Sequence, residues 1–152
     1  MINWLYEKLE SMDYKDFYDI ESEFCLAFCS NNRLMKDSII SVFLVVSNWS
    51  AASERSGVWT FYESENKEII MNAVQYLENK GEKEMSDMLS KGINDYQNPK
   101  YADSFDFPQE WMEEADEIDS WIEENTDSIR KWLYDYLVAN KEYIVNVISS
   151  VD

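Results

Sequence analysis

Apolar residues recur every three or four positions along most of the chain, which is the spacing of the buried face of an amphipathic helix. The N-terminal part carries two such stripes, with acidic residues between the apolar ones: Ile2, Leu5, Leu9 and Met12, then Phe17, Ile20, Phe24 and Phe28. The most apolar run, 39–46, follows Leu34 and leads to Trp49. Its β-branched residues would also suit a strand, but it continues without Gly or Pro into the helix-compatible stretch 51–55. The pattern therefore predicts two N-terminal helices and then a central apolar helix.

Gly57 and Gly81 divide the middle of the chain. A short aromatic segment, 58–62, follows Gly57, and apolar positions over 69–77 mark a helix that ends shortly before Gly81. Glycine there is typical of a helix that ends with a left-handed residue. A further helical stripe covers 85–96. We expect the helices on the two sides of Gly81 to form a hairpin.

The C-terminal third begins with a loop, 98–107, in which the periodicity lapses. Pro108 is expected in the first turn of a new helix, where its missing N–H costs nothing. Trp111 and Trp121 lie on the apolar stripe of that helix, which favours a place in the core or at a subunit interface over an aromatic ligand cage. Asp127 is expected to cap a last long helix that continues towards the end of the chain.

The composition agrees with a helical fold. The chain has 152 residues, of which 45% are hydrophobic, and it contains only three Gly and two Pro. So few turn-forming residues disfavour a sandwich or barrel of many strands. A chain of this length suits one domain. We therefore predict a compact all-α fold, a single all-helical domain over residues 1–152, with amphipathic helices and a central apolar helix.

Missing residue types exclude several functions. The chain has no His, which removes Ser-His-Asp and Cys-His nucleophiles and the zinc sites that use imidazole. No apolar run approaches the roughly 20 residues needed to span a bilayer, which favours a soluble, cytoplasmic protein. Cys25 and Cys29 have no basic residue between them to lower a thiol pKa, so they are expected to be buried, reduced thiols. We expect no cofactor, no metal and no enzymatic activity.

The acidic residues are concentrated in one part of the chain. The net charge is −18, a field that repels nucleic acid, anionic lipid and phosphorylated substrates, so a macromolecular partner is expected to be basic. The segment 103–127 contains no Lys or Arg and supplies −11 of this charge. Its eleven acidic residues are the predicted binding surface: Asp103, Asp106, Glu110, Glu113, Glu114, Asp116, Glu117, Asp119, Glu123, Glu124 and Asp127.

This acidic block has several interpretations. A helix over 109–124 would carry eight carboxylates in roughly 24 Å, close to the 3.4 Å charge spacing of one DNA strand. A solvated face without a partner is the plainest alternative. A calcium site is disfavoured because the chain lacks an Asp-x-Asp-x-Asp-Gly loop. A pair of catalytic carboxylates, as in glycosidases, is uninformative in a chain with 31 acidic residues.

Two parts of the sequence resemble a known family. The stretch 56–62, Ser-Gly-Val-Trp-Thr-Phe-Tyr, is followed by a helix that ends in 76–81, Tyr-Leu-Glu-Asn-Lys-Gly, and by a second helix over 85–93. Together with the acidic ending, from Glu114 to Tyr143, this arrangement resembles the bacterial domain family typified by an acidic DNA-mimic protein. The resemblance covers roughly residues 40 to 145.

The resemblance implies an all-helical domain that is often dimeric and is not an enzyme. For the characterised member it also implies binding to a DNA-binding protein through an acidic face. It implies a structural role for the residues of the shared pattern: Gly57, Trp59, Phe61, Tyr62 and Gly81.

The leading hypothesis is an acidic binding protein that imitates DNA and binds or inhibits a basic DNA-binding protein, with a homodimer as its possible assembly. The alternatives are an immunity-type inhibitor of a cationic toxin or nuclease, and a structural or interaction domain without such a target. The inhibitor would need an apolar anchor in addition to charge.

Overall fold

The computed structural model describes all residues from 1 to 152, and 78% of them are helical. It contains no strand, so the predicted all-α fold is confirmed. The eleven α-helices are α1 Ile2–Glu10, α2 Tyr18–Cys29, α3 Asn32–Met35, α4 Ile40–Ser56, α5 Trp59–Ser64, α6 Lys67–Asn79, α7 Lys83–Lys91, α8 Pro99–Ala102, α9 Gln109–Glu124, α10 Thr126–Ala139 and α11 Lys141–Val151. A 3₁₀ turn, Tyr14–Asp16, lies between α1 and α2. None of the helices has the length and apolar character needed to cross a membrane.

The helices group into two compact units, one made of Met1–Val46 and Thr126–Asp152 and the other of Ser47–Asn125. Helix α4 begins in the first unit and ends in the second. Whether the chain behaves as a single domain stays a prediction.

The first unit is built around aromatic rings. Helix α1 packs against α2, α10 and α11, while the 3₁₀ turn packs against α10. Phe28 lies between Phe24 and Phe43, with ring centroids 5.9 and 5.5 Å away, and Tyr6 meets Phe24 edge-on at 5.3 Å. All four rings are fully or almost fully buried. Phe24 and Phe28 belong to the second apolar stripe predicted for the N-terminal part, whereas Tyr6 and Phe43 lie outside both stripes.

The second unit contains the predicted hairpin, formed by α6 and α7. Gly81 adopts a left-handed conformation with φ of +80°, and Glu82 N–H donates to the Leu77 carbonyl at 2.9 Å. Gly81 N–H donates to the Glu78 carbonyl at 3.1 Å, which completes the Schellman arrangement of a helix end. The buried Ser86 hydroxyl donates to the Val74 carbonyl and ties the two helices together.

Tyr62 on α5 forms buried hydrogen bonds with other parts of the second unit. Its hydroxyl accepts a hydrogen bond from the indole N–H of Trp49 at 2.9 Å and donates to the Leu89 carbonyl at 2.7 Å. Burial raises the pKa of Tyr62 well above its usual value, so the hydroxyl keeps its proton and remains a donor. A Cβ atom at Gly92 would lie only 2.2 Å from the Tyr62 ring. Glycine at this position allows the backbone to approach the ring closely.

Several predicted helix boundaries differ from the structure. The helix predicted from Leu34 onwards is interrupted between α3 and α4, because the Asp37 carboxylate accepts hydrogen bonds from the backbone of Ile39 and Ile40 and starts a new helix there. The last long helix is divided at Asn140 into α10 and α11, and it begins at Thr126, one residue before the predicted cap.

Other boundaries differ near proline and glycine. Helix α7 ends at Lys91, and the remainder of the predicted stretch 85–96 is irregular, although Tyr96 is buried. The predicted loop 98–107 contains the short helix α8, and Pro108 is the residue before α9.

Cys29 is exposed and Cys25 is half-buried, so the expectation of two buried thiols is wrong; neither forms a disulfide.

We expect Gly92→Ala to lower the free energy of unfolding by about 1–3 kcal/mol, the usual cost of overpacking a core. The added methyl group would collide with the Tyr62 ring, which is buried and held by two strong hydrogen bonds. Urea unfolding followed by circular dichroism measures this loss.

Gly81→Ala provides the comparison for that variant. Nothing lies within 4 Å of the new methyl group, but φ is +80°, so only the left-handed strain of about 1 kcal/mol is expected. A Gly92→Ala variant that unfolds at the same urea concentration as the parent would show that the Tyr62 ring is free to move.

Candidate functional site

Helix α9 carries most of the predicted binding surface. The helix forms because Ala115, Ile118 and Ile122 lie on one side of it and are buried. It packs against α7 within the second unit. Trp121 is half-buried beside this stripe, with its ring centroid 6.0 Å from that of Trp49 and its indole N–H donating to Glu84 at 2.6 Å. The opposite side of α9 is therefore left to its carboxylates.

The structure does not bring all eleven predicted residues together. Ten of them belong to the second unit, whereas Asp127 belongs to the first, where it accepts a hydrogen bond from Tyr14 at 3.0 Å. That bond raises the pKa of Tyr14. Nine of the eleven are exposed: Asp103, Asp106, Glu110, Glu113, Asp116, Glu117, Glu123, Glu124 and Asp127. Glu114 and Asp119 are half-buried.

Asp119 has a place inside the second unit. Its Oδ1 atom accepts from the Ser53 hydroxyl at 2.6 Å and from the backbone N–H of Val58 at 2.8 Å. The carboxylate thus connects α9 to α4 and to the start of α5, just after the turn at Gly57. Asp119 is half-buried and both bonds engage Oδ1, so this carboxylate is oriented by its own unit.

Two further carboxylates of α9 have partners within the unit. Glu114 accepts from the Asn94 side-chain amide at 3.2 Å. Glu117 forms an ion pair with Lys91 on α7, with 2.8 Å between Oε2 and Nζ, and both side chains are substantially exposed. An exposed pair of this kind contributes little to stability, but Lys91 reduces the negative charge of the surface at this point.

The exposed carboxylates of α9 form a continuous face. At 3.6 residues per turn, Glu110, Glu113, Glu117 and Glu124 fall within an arc of about 60° around the helix axis, and Asp116 and Glu123 lie beside them. These six side chains extend over about 21 Å, or about one charge per 3.5 Å of helix. We call this set of six the acidic face. Its charge density is close to that of one DNA strand, which has one phosphate per 3.4 Å of axis.

The two units share the charge unequally. The second unit holds 19 acidic and six basic residues, a net charge of −13, and the first unit accounts for the other −5. The acidic face therefore lies within the more negative part of the chain, which strengthens the attraction of a basic partner at a distance.

The loop before α9 presents an apolar side chain between two acids. Phe105 is 72% exposed and has a φ of +54°, a conformation that is strained for a bulky residue. Asp103 and Asp106, on its two sides, are both exposed. Phe107 instead packs inwards against Tyr96, with centroids 5.1 Å apart. Phe105 is the residue of this region that sequence reasoning missed, because its spacing does not distinguish it from Phe107.

The residues of the family-like pattern hold the turn between α4 and α5 and the end of α6. Gly57 has a φ of +96°, which only glycine adopts without strain. Trp59 lies 6.2 Å from Phe107, and Phe61 meets Tyr62 edge-on at 5.1 Å. With Gly81 at the end of α6, these residues all have contacts or conformations that support the fold.

The aromatic residues do not enclose a ligand cage. Trp111 contacts Tyr96 and Tyr101 at centroid distances of 5.1 and 5.0 Å, and Phe107 stacks on it at 6.3 Å. Burial raises the pKa of Tyr96 to about 12, so its hydroxyl is neutral. No three Cys, Asp or Glu side chains come close enough together to hold a metal ion.

Compared with protein-family models, curated proteins and solved structures, the chain gives no match. We therefore infer function from the geometry of the chain itself.

We expect Asp119→Ala and Asp116→Ala to have unequal consequences for stability, although both remove one carboxylate from α9. Loss of Asp119 leaves the Val58 N–H and the Ser53 hydroxyl without their acceptor, which costs about 1–3 kcal/mol. Asp116 is exposed, so its loss changes the free energy of unfolding by less than about 0.5 kcal/mol. Urea unfolding of the two variants measures both values, and equal losses would contradict the internal role of Asp119.

Proposed function

We propose that the protein binds a basic DNA-binding protein and that the acidic face of α9 occupies the site that DNA phosphates would otherwise fill. The observation that carries this proposal is the density of the face, about one carboxylate per 3.5 Å along a helix that has no basic residue of its own, with one of the six, Glu117, paired to Lys91 of α7. A homodimer, which the family resemblance implies, stays a prediction.

The acidic face is complementary to the surface of a DNA-binding protein. A DNA-binding protein presents Lys and Arg side chains at positions that suit phosphates, and a row of carboxylates at similar spacing can satisfy them. The net charge of −13 on the second unit increases the rate of encounter with such a surface. Because α9 packs against α7, the backbone that carries these carboxylates needs little ordering when the partner binds.

The like charges on α9 also support a role for the face. Pairs at positions three or four apart, such as Glu113 with Asp116 and with Glu117, repel each other by about 0.2–0.5 kcal/mol each. A surface that served only solubility could alternate its charges at no such cost.

The test neutralises four of the six residues of the acidic face without disturbing the contacts inside the unit. Glu117, Glu114 and Asp119 are left unchanged because they bond to other residues. The variant carries four substitutions at exposed positions: Glu110→Gln, Glu113→Gln, Asp116→Asn and Glu124→Gln. We expect the variant to be at least as stable as the parent. Its affinity for a cationic DNA-binding protein, measured by competition with DNA, should be at least about ten-fold lower.

A matched control removes the same charge elsewhere. It carries four substitutions at other exposed positions: Glu7→Gln, Glu54→Gln, Glu78→Gln and Glu142→Gln. Competition is measured by fluorescence anisotropy of a labelled duplex at several salt concentrations. The proposal is wrong if the two variants displace DNA equally well, because net charge rather than the acidic face would then decide the outcome.

Phe105 supports a second candidate, an inhibitor of one cationic toxin or nuclease. An inhibitor of this kind needs an apolar anchor that enters a pocket of the target, surrounded by charges that guide it there. Phe105 has this form, since it is 72% exposed and lies between two exposed acids.

Phe105→Ala distinguishes the two candidates. If the protein is such an inhibitor, the variant should bind its target at least about 30-fold more weakly, and the parent should keep most of its affinity at high salt. If the acidic face alone carries recognition, the substitution should change affinity by less than about three-fold, with a steep salt dependence in both proteins. Isothermal titration calorimetry against the same cationic protein gives both quantities.

A further inference from the structure

A cleft in the second unit lies between α4 and α5. The two helices run antiparallel, since Trp49 contacts Tyr62 while Ser56, at the end of α4, lies 3.2 Å from Thr60, at the start of α5. The cleft between them has a volume of about 320 Å³, and the side chains of Ala52 and Phe61 contribute apolar wall. This volume is at the lower end of the range for small-molecule sites.

The hydroxyl groups along the cleft are oriented as acceptors. Thr60 donates its proton to the Gly57 carbonyl at 2.9 Å, so the proton between Ser56 and Thr60 comes from Ser56. Ser64 donates to the Thr60 carbonyl at 2.9 Å. With these protons engaged, the lone pairs of the Ser56 and Ser64 oxygens remain for a donor in the cleft.

The two ends of the cleft carry opposite charges. Arg55 lies at the end of α4 beside the turn at Gly57, and it forms no ion pair although the chain has 31 acidic residues. Glu65 lies at the other end, just after α5, where one of its oxygens accepts from the Asn66 N–H at 3.0 Å. Since α5 returns along α4, Glu65 lies towards the Asn48 end of the cleft, and the backbones of Asn48 and Arg55 are seven steps apart along α4, or about 10 Å.

We propose that this cleft binds a basic amino acid, with its carboxylate at Arg55 and its distal ammonium group at Glu65. A guanidinium binds a carboxylate through two parallel hydrogen bonds, and the Ser64 and Glu65 oxygens suit an ammonium group that carries only donors. The net charge of −13 on this unit favours a ligand with a second positive charge, which points to a basic amino acid. The site is independent of the acidic face, because none of the α9 carboxylates lines the cleft.

Three probes separate the two charged contacts. L-Lysine has the carboxylate and the distal ammonium group, cadaverine lacks the carboxylate, and norleucine lacks the distal ammonium group. Binding is followed through the backbone amide shifts of the ¹⁵N-labelled protein. We expect L-lysine to shift the amides of α4 and α5 and to saturate below about 10 mM, and each of the other probes to bind at least about ten-fold more weakly.

Variants test the two residues directly. Arg55→Gln and Glu65→Gln should each weaken L-lysine binding at least about ten-fold. Arg33→Gln and Glu54→Gln make the same charge changes at exposed residues that do not line the cleft, and they should leave binding unchanged. Thermal unfolding of all four variants controls for folding.

The proposal is overturned if L-lysine shifts no amides of α4 and α5 up to about 10 mM, the range of weak small-ligand binding. It is equally overturned if cadaverine binds as well as L-lysine, since simple attraction of cations by the acidic chain would explain that result. Loss of L-lysine binding in the control variants Arg33→Gln and Glu54→Gln would also overturn the proposal.

Discussion

The position of α5 is the constraint on which the rest of the second unit depends. This helix has only six residues, too few to be stable alone, so its place is set by what its side chains reach. Tyr62 connects it to α4 through Trp49 and to α7 through the Leu89 carbonyl, while Asp119 of α9 accepts from the Val58 N–H just before it. One short helix therefore joins α4, α7 and α9 by buried or half-buried hydrogen bonds, which are costly to break because each leaves a polar group without a partner.

Burial of its apolar side explains how the strongly acidic helix α9 stays in place. Repulsion along α9 opposes helix formation by some tenths of a kcal/mol per pair, whereas burial of Ile118 and Ile122 contributes roughly 1.5–3 kcal/mol for each side chain. Packing therefore outweighs the charge repulsion, and the carboxylates can be held at a density that an isolated helix would not favour. Glu117 and Lys91 add an exposed ion pair between α9 and α7, but its contribution is small beside that of the apolar stripe.

The same helix α5 borders the cleft that we assign to a basic amino acid. Two surfaces of different chemistry thus lie on the helices that α5 joins. One is the row of carboxylates on the outside of α9, and the other is the pair of opposite charges with hydroxyl acceptors between α4 and α5. Their residues do not overlap, so each can be removed by substitution without loss of the other. The unit with the larger negative charge carries both.

The sequence by itself determined the helical fold, the α6–α7 hairpin and the location of the acidic block, because helical periodicity, the Gly81 cap and charge content are local properties. The pattern did not indicate the helix break at Asp37 or the division of the last long helix at Asn140. A continuous apolar stripe does not reveal where a side chain bonds to the backbone and ends or starts a helix. Only the tertiary structure decided that Asp119 serves the inside of the unit while Asp116 faces solvent, although both are aspartates on the same helix. The physical reason is that burial and hydrogen-bond partners depend on residues distant along the chain, here Ser53 and Val58, which no pattern within α9 can indicate.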